Sequence, residues 1–199
     1  MKLVIDLDQT SLFLSLLSIT FNPVAWNIVA QNEYRNKTIT RMFGGNPRYG
    51  CYFLAVLIFS FGMLRDSLYH RALLDQPKQP GLLPAPFDTI IPAVLFGLGQ
   101  IFVVTSTWAL GVTGTFLGDY FGILMDHRVE GFPFNVLRDP MYVGSTMSFA
   151  ATALWYERSS GLLITAYVYI VYIIALRFEG PFTDMIYSKR AEQESKKAT

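Results

Sequence analysis

Residues 113–139 combine charged groups, aromatic rings and glycines in a way that suits a ligand-binding site. The stretch holds four glycines and four phenylalanines, together with Asp119, Tyr120, His127 and Arg138. A plain connecting loop would be small and polar, whereas aromatic faces, flexible backbone and charge together suit an amphipathic ligand. Asp119 could move a proton, and His127 or water could do so instead. The alternative interpretation is an interfacial loop whose aromatic rings lie among lipid headgroups.

A second group of candidate residues opens the next apolar stretch. Arg138 lies where a membrane surface is expected and could bind a carboxylate through two hydrogen bonds. Pro140 suits the first position of a helix, and Tyr142 offers a flat face and a hydroxyl. The alternative is an ordinary helix start at which the arginine reaches towards water.

Glu179 and a pair of glycines complete the set of candidates. Glu179 follows the last apolar stretch, where a carboxylate is costly unless it is paired or functional. An ion pair with Arg177 or a solvated helix end would also explain it. Gly97-Leu98-Gly99 lies within an apolar stretch, where small residues let another helix approach closely or leave room for a ligand. No predicted strand precedes it, which excludes a dinucleotide-binding fingerprint.

Several classes of site and function are disfavoured. His70 and His127 are isolated, so no metal site is predicted. The single cysteine, Cys51, excludes a disulfide framework, and there is no serine or cysteine nucleophile motif. The net charge of +1 argues against a nucleic-acid-binding protein.

The elements that must position these residues are predicted to be membrane helices. Hydrophobic residues make up 52% of the 199 residues and charged residues 16%, against about 25% charged in soluble domains. Residues 11–30 contain Pro23 between Asn22 and Asn27, which predicts an interfacial or re-entrant helix, with a full span as the alternative. A span needs roughly 20 residues. Four transmembrane helices are predicted: residues 50–68, 90–112, 141–157 and 161–177. The chain is therefore predicted to be a single all-α membrane domain.

The connections predict how this domain is oriented. Only Glu157-Arg158-Ser159-Ser160 separates the last two spans, which predicts a helical hairpin. With four spans and a cytosolic C-terminus, the loop 113–139 and the tail 178–199 share the cytosolic side with both termini. Residues 31–49 lie on the same side. Those residues, the loop 113–139 and the tail counted with Arg177 hold eleven of the sixteen lysines and arginines, as the positive-inside rule requires. Lys196-Lys197 near the end has the form of a dilysine retrieval signal, which favours the endoplasmic reticulum.

Taken together, these segments resemble a known family. The chain resembles the phospholipid N-methyltransferases of the endoplasmic reticulum, which convert phosphatidylethanolamine to phosphatidylcholine. The matching segments cover nearly the whole chain in order: Phe21-Asn22-Pro23, Trp26-Asn27, Gly97-Leu98-Gly99, residues 114–124, Phe132-Pro133-Phe134-Asn135, Asp139-Pro140-Met141-Tyr142 and Glu179-Gly180-Pro181-Phe182-Thr183.

The resemblance implies S-adenosylmethionine as the methyl donor and assigns candidate binding residues. Gly97, Leu98 and Gly99 would form one cofactor-binding element, and Glu179 with Gly180 would form another. The family has two adjacent glutamates at the second element, so Gly180 departs from its pattern.

The run from Arg138 through Pro140 and Tyr142 also resembles a wider group of membrane methyltransferases, which includes the isoprenylcysteine carboxyl methyltransferases. In this interpretation Arg138 holds the cofactor's carboxylate, while Tyr142 and Tyr120 line its adenine or sulfonium. Asp119 is the predicted base that takes a proton from the lipid ammonium.

The predicted function is therefore N-methylation of phosphatidylethanolamine-type lipids drawn from the bilayer, especially the monomethyl and dimethyl intermediates. Two alternatives stay open at this point. The acceptor could be a prenylcysteine carboxylate or a sterol, or the chain could be a lipid-binding membrane protein without activity.

Overall fold

The computed structural model describes residues 4–126 and 129–198 of the chain. Every regular element among these residues is a helix, which confirms the predicted all-α class. In chain order the elements are α1 (Thr10–Asn36), α2 (Thr38–Met42), α3 (Pro47–Asp75), α4 (Phe87–Thr115), a 310 helix (Gly118–Phe121), α5 (Pro140–Trp155) and α6 (Ser159–Ala198).

Four stretches of the described chain are long and apolar enough to cross a membrane, which is the number predicted. They are Thr10–Asn36, Pro47–Asp75, Phe87–Phe121 and Ser159–Arg190. Their outward faces carry large exposed apolar side chains, and Trp108 on α4 is 88% exposed. A soluble protein does not leave so much apolar surface in water, and a bilayer would cover it.

One of the four stretches, α1, was not predicted as a span, and the predicted span 141–157 is not among them. Residues 11–30 lie within α1, a continuous helix of 27 residues that keeps Pro23 inside it. Length and composition therefore favour the alternative of a full span over the expected interfacial or re-entrant helix. The two asparagines that suggested an interruption both have partners: Asn22 donates to the backbone oxygen of Phe61 (3.2 Å), and Asn27 donates to that of Pro23 (2.9 Å).

The predicted spans 141–157 and 161–177 correspond to α5 and to the first half of α6. With 16 residues α5 is shorter than a typical span, whereas α6 runs unbroken through the predicted tail. Residues 156–158 join the two helices, and the helical hairpin stays a prediction. Near this junction a Cβ built on Gly161 would lie 2.6 Å from that of Ala153, so the helices approach as closely as small residues allow.

Glycines also set the contact between α4 and α5. A Cβ on Gly99 would lie 2.6 Å from the backbone oxygen of Gly144, and a Cβ on Gly144 would lie 2.5 Å from that of Gly99. The two backbones touch at this point, so neither position can accept a larger residue unless the helices separate.

The two ends of the bundle are built differently. At one end the backbone of Asp6 exchanges two 2.8 Å hydrogen bonds with the Gln76 side chain at the end of α3. The amide of Val4 donates to Ser159 at the start of α6. The far end holds the end of α1, the 310 helix and the later part of α6. The start of α1 and the end of α6 thus lie at opposite ends of the bundle.

Candidate active site

Glu179 lies within α6, where side chains from two other helices hold both of its oxygens. The hydroxyl of Tyr142 on α5 donates to Oε2 at 2.5 Å. The Nδ2 of Asn27 on α1 donates to Oε1 at 3.0 Å. Hydrogen bonds to a carboxylate are about twice as strong as neutral ones. Both donors therefore stabilise the charged form of Glu179 and fix the direction of its remaining lone pairs.

The carboxylate of Asp119, which belongs to the 310 helix, lies against the same side of α6 as Glu179. Thr183, one helical turn after Glu179, donates to Oδ2 of Asp119 at 3.0 Å. The amide of Tyr120 donates to Oδ1 at 3.1 Å. Asp119 and Glu179 are also close enough for their charges to repel each other. The loop 113–139 thus brings its acidic residue to the same site as the glutamate, as the sequence suggested but could not show.

The ring of Tyr120 is part of the packing beneath this site. It stacks on Phe182 with centroids 3.7 Å apart and planes 5° apart, and Phe182 meets Tyr34 edge-on at 4.9 Å. Tyr120 is 1% exposed, and Phe182 covers one of its faces. Its clearest structural role is to fix the 310 helix that carries Asp119 against α1 and α6.

A polar network extends from Tyr142 towards the middle of the bundle. The ring of Tyr142 meets Tyr172 edge-on at 4.8 Å, and the Tyr172 hydroxyl accepts from Arg65 at 2.7 Å. That hydroxyl also shares a 3.1 Å hydrogen bond with Ser145. Arg65 lies within the predicted span 50–68, and α3 continues beyond that span to Asp75. Arg65 is half-buried on α3, where it also pairs with the exposed Asp66 at 2.8 Å.

The remaining candidates lie around this centre in different environments. Gly99 packs against Gly144 on α5, whereas a Cβ on Gly97 would meet no atom within 4 Å and Leu98 is 44% exposed. A Cβ on Gly180 would also meet nothing within 4 Å, so there is open space at that position of α6.

The loop candidates are also placed around α5. Arg138 is exposed just before α5, and Pro140 is its buried first residue. His127, the alternative base, lies outside the described residues.

Two features of the site went unnoticed in the sequence. Asn27 was interpreted as an interruption of an apolar stretch, and Thr183 had no predicted role. The available signal was a polar residue inside an apolar segment, because such residues are costly in a bilayer and often mark a site. Their partners, however, are 152 and 64 residues away along the chain.

The arrangement suits a ligand that carries an ammonium group. Acceptor atoms gather around Glu179, where Oδ1 of Asn27 is buried and lacks a hydrogen-bond partner among the described residues. Open space adjoins Gly180. S-adenosylmethionine carries an ammonium, a carboxylate and a ribose, so the donors and acceptors present fit its polar groups.

Comparison with known proteins identifies the family. The family model described as phospholipid methyltransferase matches residues 87–190. The chain is 57% identical over 194 residues to phosphatidyl-N-methylethanolamine N-methyltransferase of Neurospora crassa, covering 98% of this chain and 90% of that protein. It is 51% identical over 186 residues to the Saccharomyces cerevisiae protein of the same name, covering 94% and 89%.

Similarity extends to animals. The chain is 42% identical over 195 residues to phosphatidylethanolamine N-methyltransferase of Homo sapiens, covering 98% of this chain and 96% of that protein. No solved structure matches the chain. With nearly full-length similarity to these enzymes, and a carboxylate site within the matched region, the chain belongs to the phospholipid methyltransferase family.

Proposed function

We propose that this chain methylates the amine headgroup of phosphatidylethanolamine-type lipids, with S-adenosylmethionine as the methyl donor, to give phosphatidylcholine. The observation that carries the proposal is the carboxylate of Glu179, held by Tyr142 and Asn27 from two other helices. Similar fungal proteins bear the name phosphatidyl-N-methylethanolamine N-methyltransferase, which favours the monomethyl and dimethyl lipids as main acceptors. These names do not favour a prenylcysteine or sterol acceptor, or a lipid-binding protein without activity.

The cofactor roles follow from the groups available on the chain. S-adenosylmethionine, when bound, supplies an activated methyl carbon that leaves its sulfonium for an amine nitrogen in line. Glu179 accepts hydrogen bonds from the ammonium or ribose, and Arg138 is exposed and free to turn towards a carboxylate. Gly97 leaves room beside α4, and Gly99 holds α4 close to α5. Positioning of this kind can supply roughly 7–11 kcal/mol of the barrier in the best cases.

The lipid amine must lose a proton before its lone pair can attack. Asp119 is the proposed acceptor of that proton, because its carboxylate lies one helical turn from Glu179 along α6, where Thr183 and the amide of Tyr120 orient it. The proton leaves the nitrogen for a carboxylate oxygen of Asp119, and from there it can pass to water at this end of the bundle. His127 and water are the alternative acceptors.

We further propose that the protein resides in the endoplasmic reticulum membrane with the Glu179 end of the bundle facing the cytosol. The loop 113–139 and the tail 178–199 then meet a water-soluble methyl donor, while the lipid enters from the bilayer. In this arrangement the start of α1, beside Gln76 and Ser159, faces the opposite side. The expectation that both termini are cytosolic depended on α1 not crossing. With α1 crossing, and with the short α5 leading from Glu179 back to Ser159, the chain passes between the two ends of the bundle five times. We therefore propose that the N-terminus lies on the side opposite the cytosol.

The test uses the purified full-length protein in mixed micelles with S-adenosylmethionine and one acceptor at a time: phosphatidylethanolamine, its monomethyl form or its dimethyl form. The expected result is methylated lipid, fastest from the monomethyl and dimethyl acceptors, and none from a prenylcysteine or sterol panel. Absence of methylated lipid from all three phospholipids, with the protein folded, would contradict the proposal.

A further inference from the structure

Asn27 is a polar side chain of α1 that reaches across to the candidate active site. Its Nδ2 donates to the backbone oxygen of Pro23 at 2.9 Å and to Oε1 of Glu179 at 3.0 Å. The family model begins at residue 87, so this side chain enters the site from outside the matched region. Nothing in the assigned function requires a contribution from α1.

The other polar atom of the same side chain points to a ligand. Oδ1 of Asn27 is buried and has no hydrogen-bond partner among the described residues. A buried acceptor without a partner costs about 1–3 kcal/mol, so it is usually satisfied in the working protein. Because Nδ2 donates a hydrogen bond to Glu179, Oδ1 of the same amide group lies close to that carboxylate.

We propose that Asn27 belongs to the binding machinery: its Nδ2 orients Glu179, and its Oδ1 joins that carboxylate as an acceptor for the ammonium group of a ligand. An ammonium has three donors and no acceptor, and an amide oxygen beside a carboxylate matches it. The ammonium can come from the amino-acid part of the methyl donor or from the lipid headgroup. This inference rests on the proposed function.

The structure also supplies a matched control on the same helix. Asn22 is buried on α1, and its Nδ2 donates to the backbone oxygen of Phe61 on α3 at 3.2 Å. Its Oδ1 also lacks a partner among the described residues. Asn22 and Asn27 therefore share residue type, helix and a buried Oδ1 atom, but only Asn27 touches Glu179.

The first measurement is ligand binding without turnover. S-adenosylhomocysteine retains the amino-acid part of the donor, whereas methylthioadenosine lacks it. If the ammonium belongs to the donor, Asn27→Leu should weaken S-adenosylhomocysteine binding roughly tenfold to a hundredfold in calorimetry. Methylthioadenosine should bind both proteins equally. Asn27→Asp keeps an acceptor but sets a second negative charge against Glu179 and should also weaken binding.

The second measurement separates the two sources of the ammonium. If it belongs to the lipid, Asn27→Leu should leave S-adenosylhomocysteine binding unchanged and raise KM for the monomethyl lipid by a similar factor. Asn22→Leu should lower the melting temperature and leave both quantities unchanged. The inference is overturned if Asn27→Leu behaves like Asn22→Leu in every measurement while the wild-type protein methylates lipid. An inactive wild-type protein would instead contradict the proposed function.

Discussion

Replacing Tyr142 by phenylalanine removes one hydroxyl group and leaves the aromatic ring in place. That hydroxyl donates to Oε2 of Glu179 at 2.5 Å, which makes it the shorter of the two side-chain hydrogen bonds that hold the carboxylate. The ring meets Tyr172 edge-on at 4.8 Å and would keep that contact. The substitution therefore tests the hydrogen bond separately from the packing.

The magnitude follows from the kind of bond that is lost. A hydrogen bond to a charged group contributes about 1.5–3 kcal/mol, and leaving such a group unsatisfied costs more. At about 1.4 kcal/mol for each factor of ten, Tyr142→Phe should lower kcat/KM for methyl transfer by roughly tenfold to a hundredfold. If Glu179 holds the methyl donor, calorimetry should show a loss of S-adenosylhomocysteine affinity of similar size.

The matched control is Tyr167→Phe. The hydroxyl of Tyr167 shares a 2.6 Å hydrogen bond with Thr20, which also joins α6 to α1 but does not involve Glu179. This variant should lose about 1 kcal/mol of stability and keep the wild-type kcat/KM. Equal kcat/KM for Tyr142→Phe and wild type, measured across the acceptor lipids, would refute a role for the Glu179 hydrogen bond in binding or catalysis.

Three further predictions concern other parts of the molecule. Gly99→Ala should lower the melting temperature more than Gly97→Ala, because its Cβ would lie 2.6 Å from a backbone oxygen of α5, whereas Gly97 faces open space. Asp119→Asn should lower kcat with little change in S-adenosylhomocysteine affinity, and full activity at every pH would exclude it as the base. Hydrogen bonding to Lys78 lowers the pKa of Glu157, so the stability that this carboxylate contributes is present above its unfolded-state pKa. This stability is lost as pH falls through the lowered folded-state pKa. The melting temperature of the wild-type protein should therefore fall over that pH range, and the melting temperature of Glu157→Gln should not show this fall.

The fold class could be predicted because it depends on composition summed over long segments. A chain with 52% hydrophobic and 16% charged residues must bury its apolar faces in lipid or protein. Three of the four predicted spans lie in stretches long and apolar enough to cross a membrane, and α1 is the fourth such stretch in place of residues 141–157. The α1 helix was assigned less well. Sequence patterns weigh the cost of Asn22, Pro23 and Asn27 inside the apolar stretch, but they cannot include partners on α3 and α6 that offset it.

The candidate site was predicted in part for a similar reason. Glu179, Tyr142 and Asp119 were each chosen for residue type and position, and the structure brings Tyr142 to Glu179 and Asp119 close by. For Gly99 the structure agrees with the alternative of close helix packing, and the cofactor role stays a prediction. The predicted span 50–68 ended too early, because α3 continues to Asp75.

The two carboxylates explain why the site needs so many helices. A carboxylate withdrawn from water costs several kcal/mol unless hydrogen bonds replace its solvation. Glu179 receives donors from α1 and α5, and Asp119 receives one from α6 and one from the backbone amide of Tyr120. No single helix could supply these donors, since side chains on one helix that reach the same point are limited to the next turn. The polar side chain of Asn27 is itself costly in a membrane helix, and its bond to Glu179 offsets both costs at once. On this reasoning α1 is part of the site, and its asparagine lies in the bilayer because the carboxylate of α6 requires a donor there.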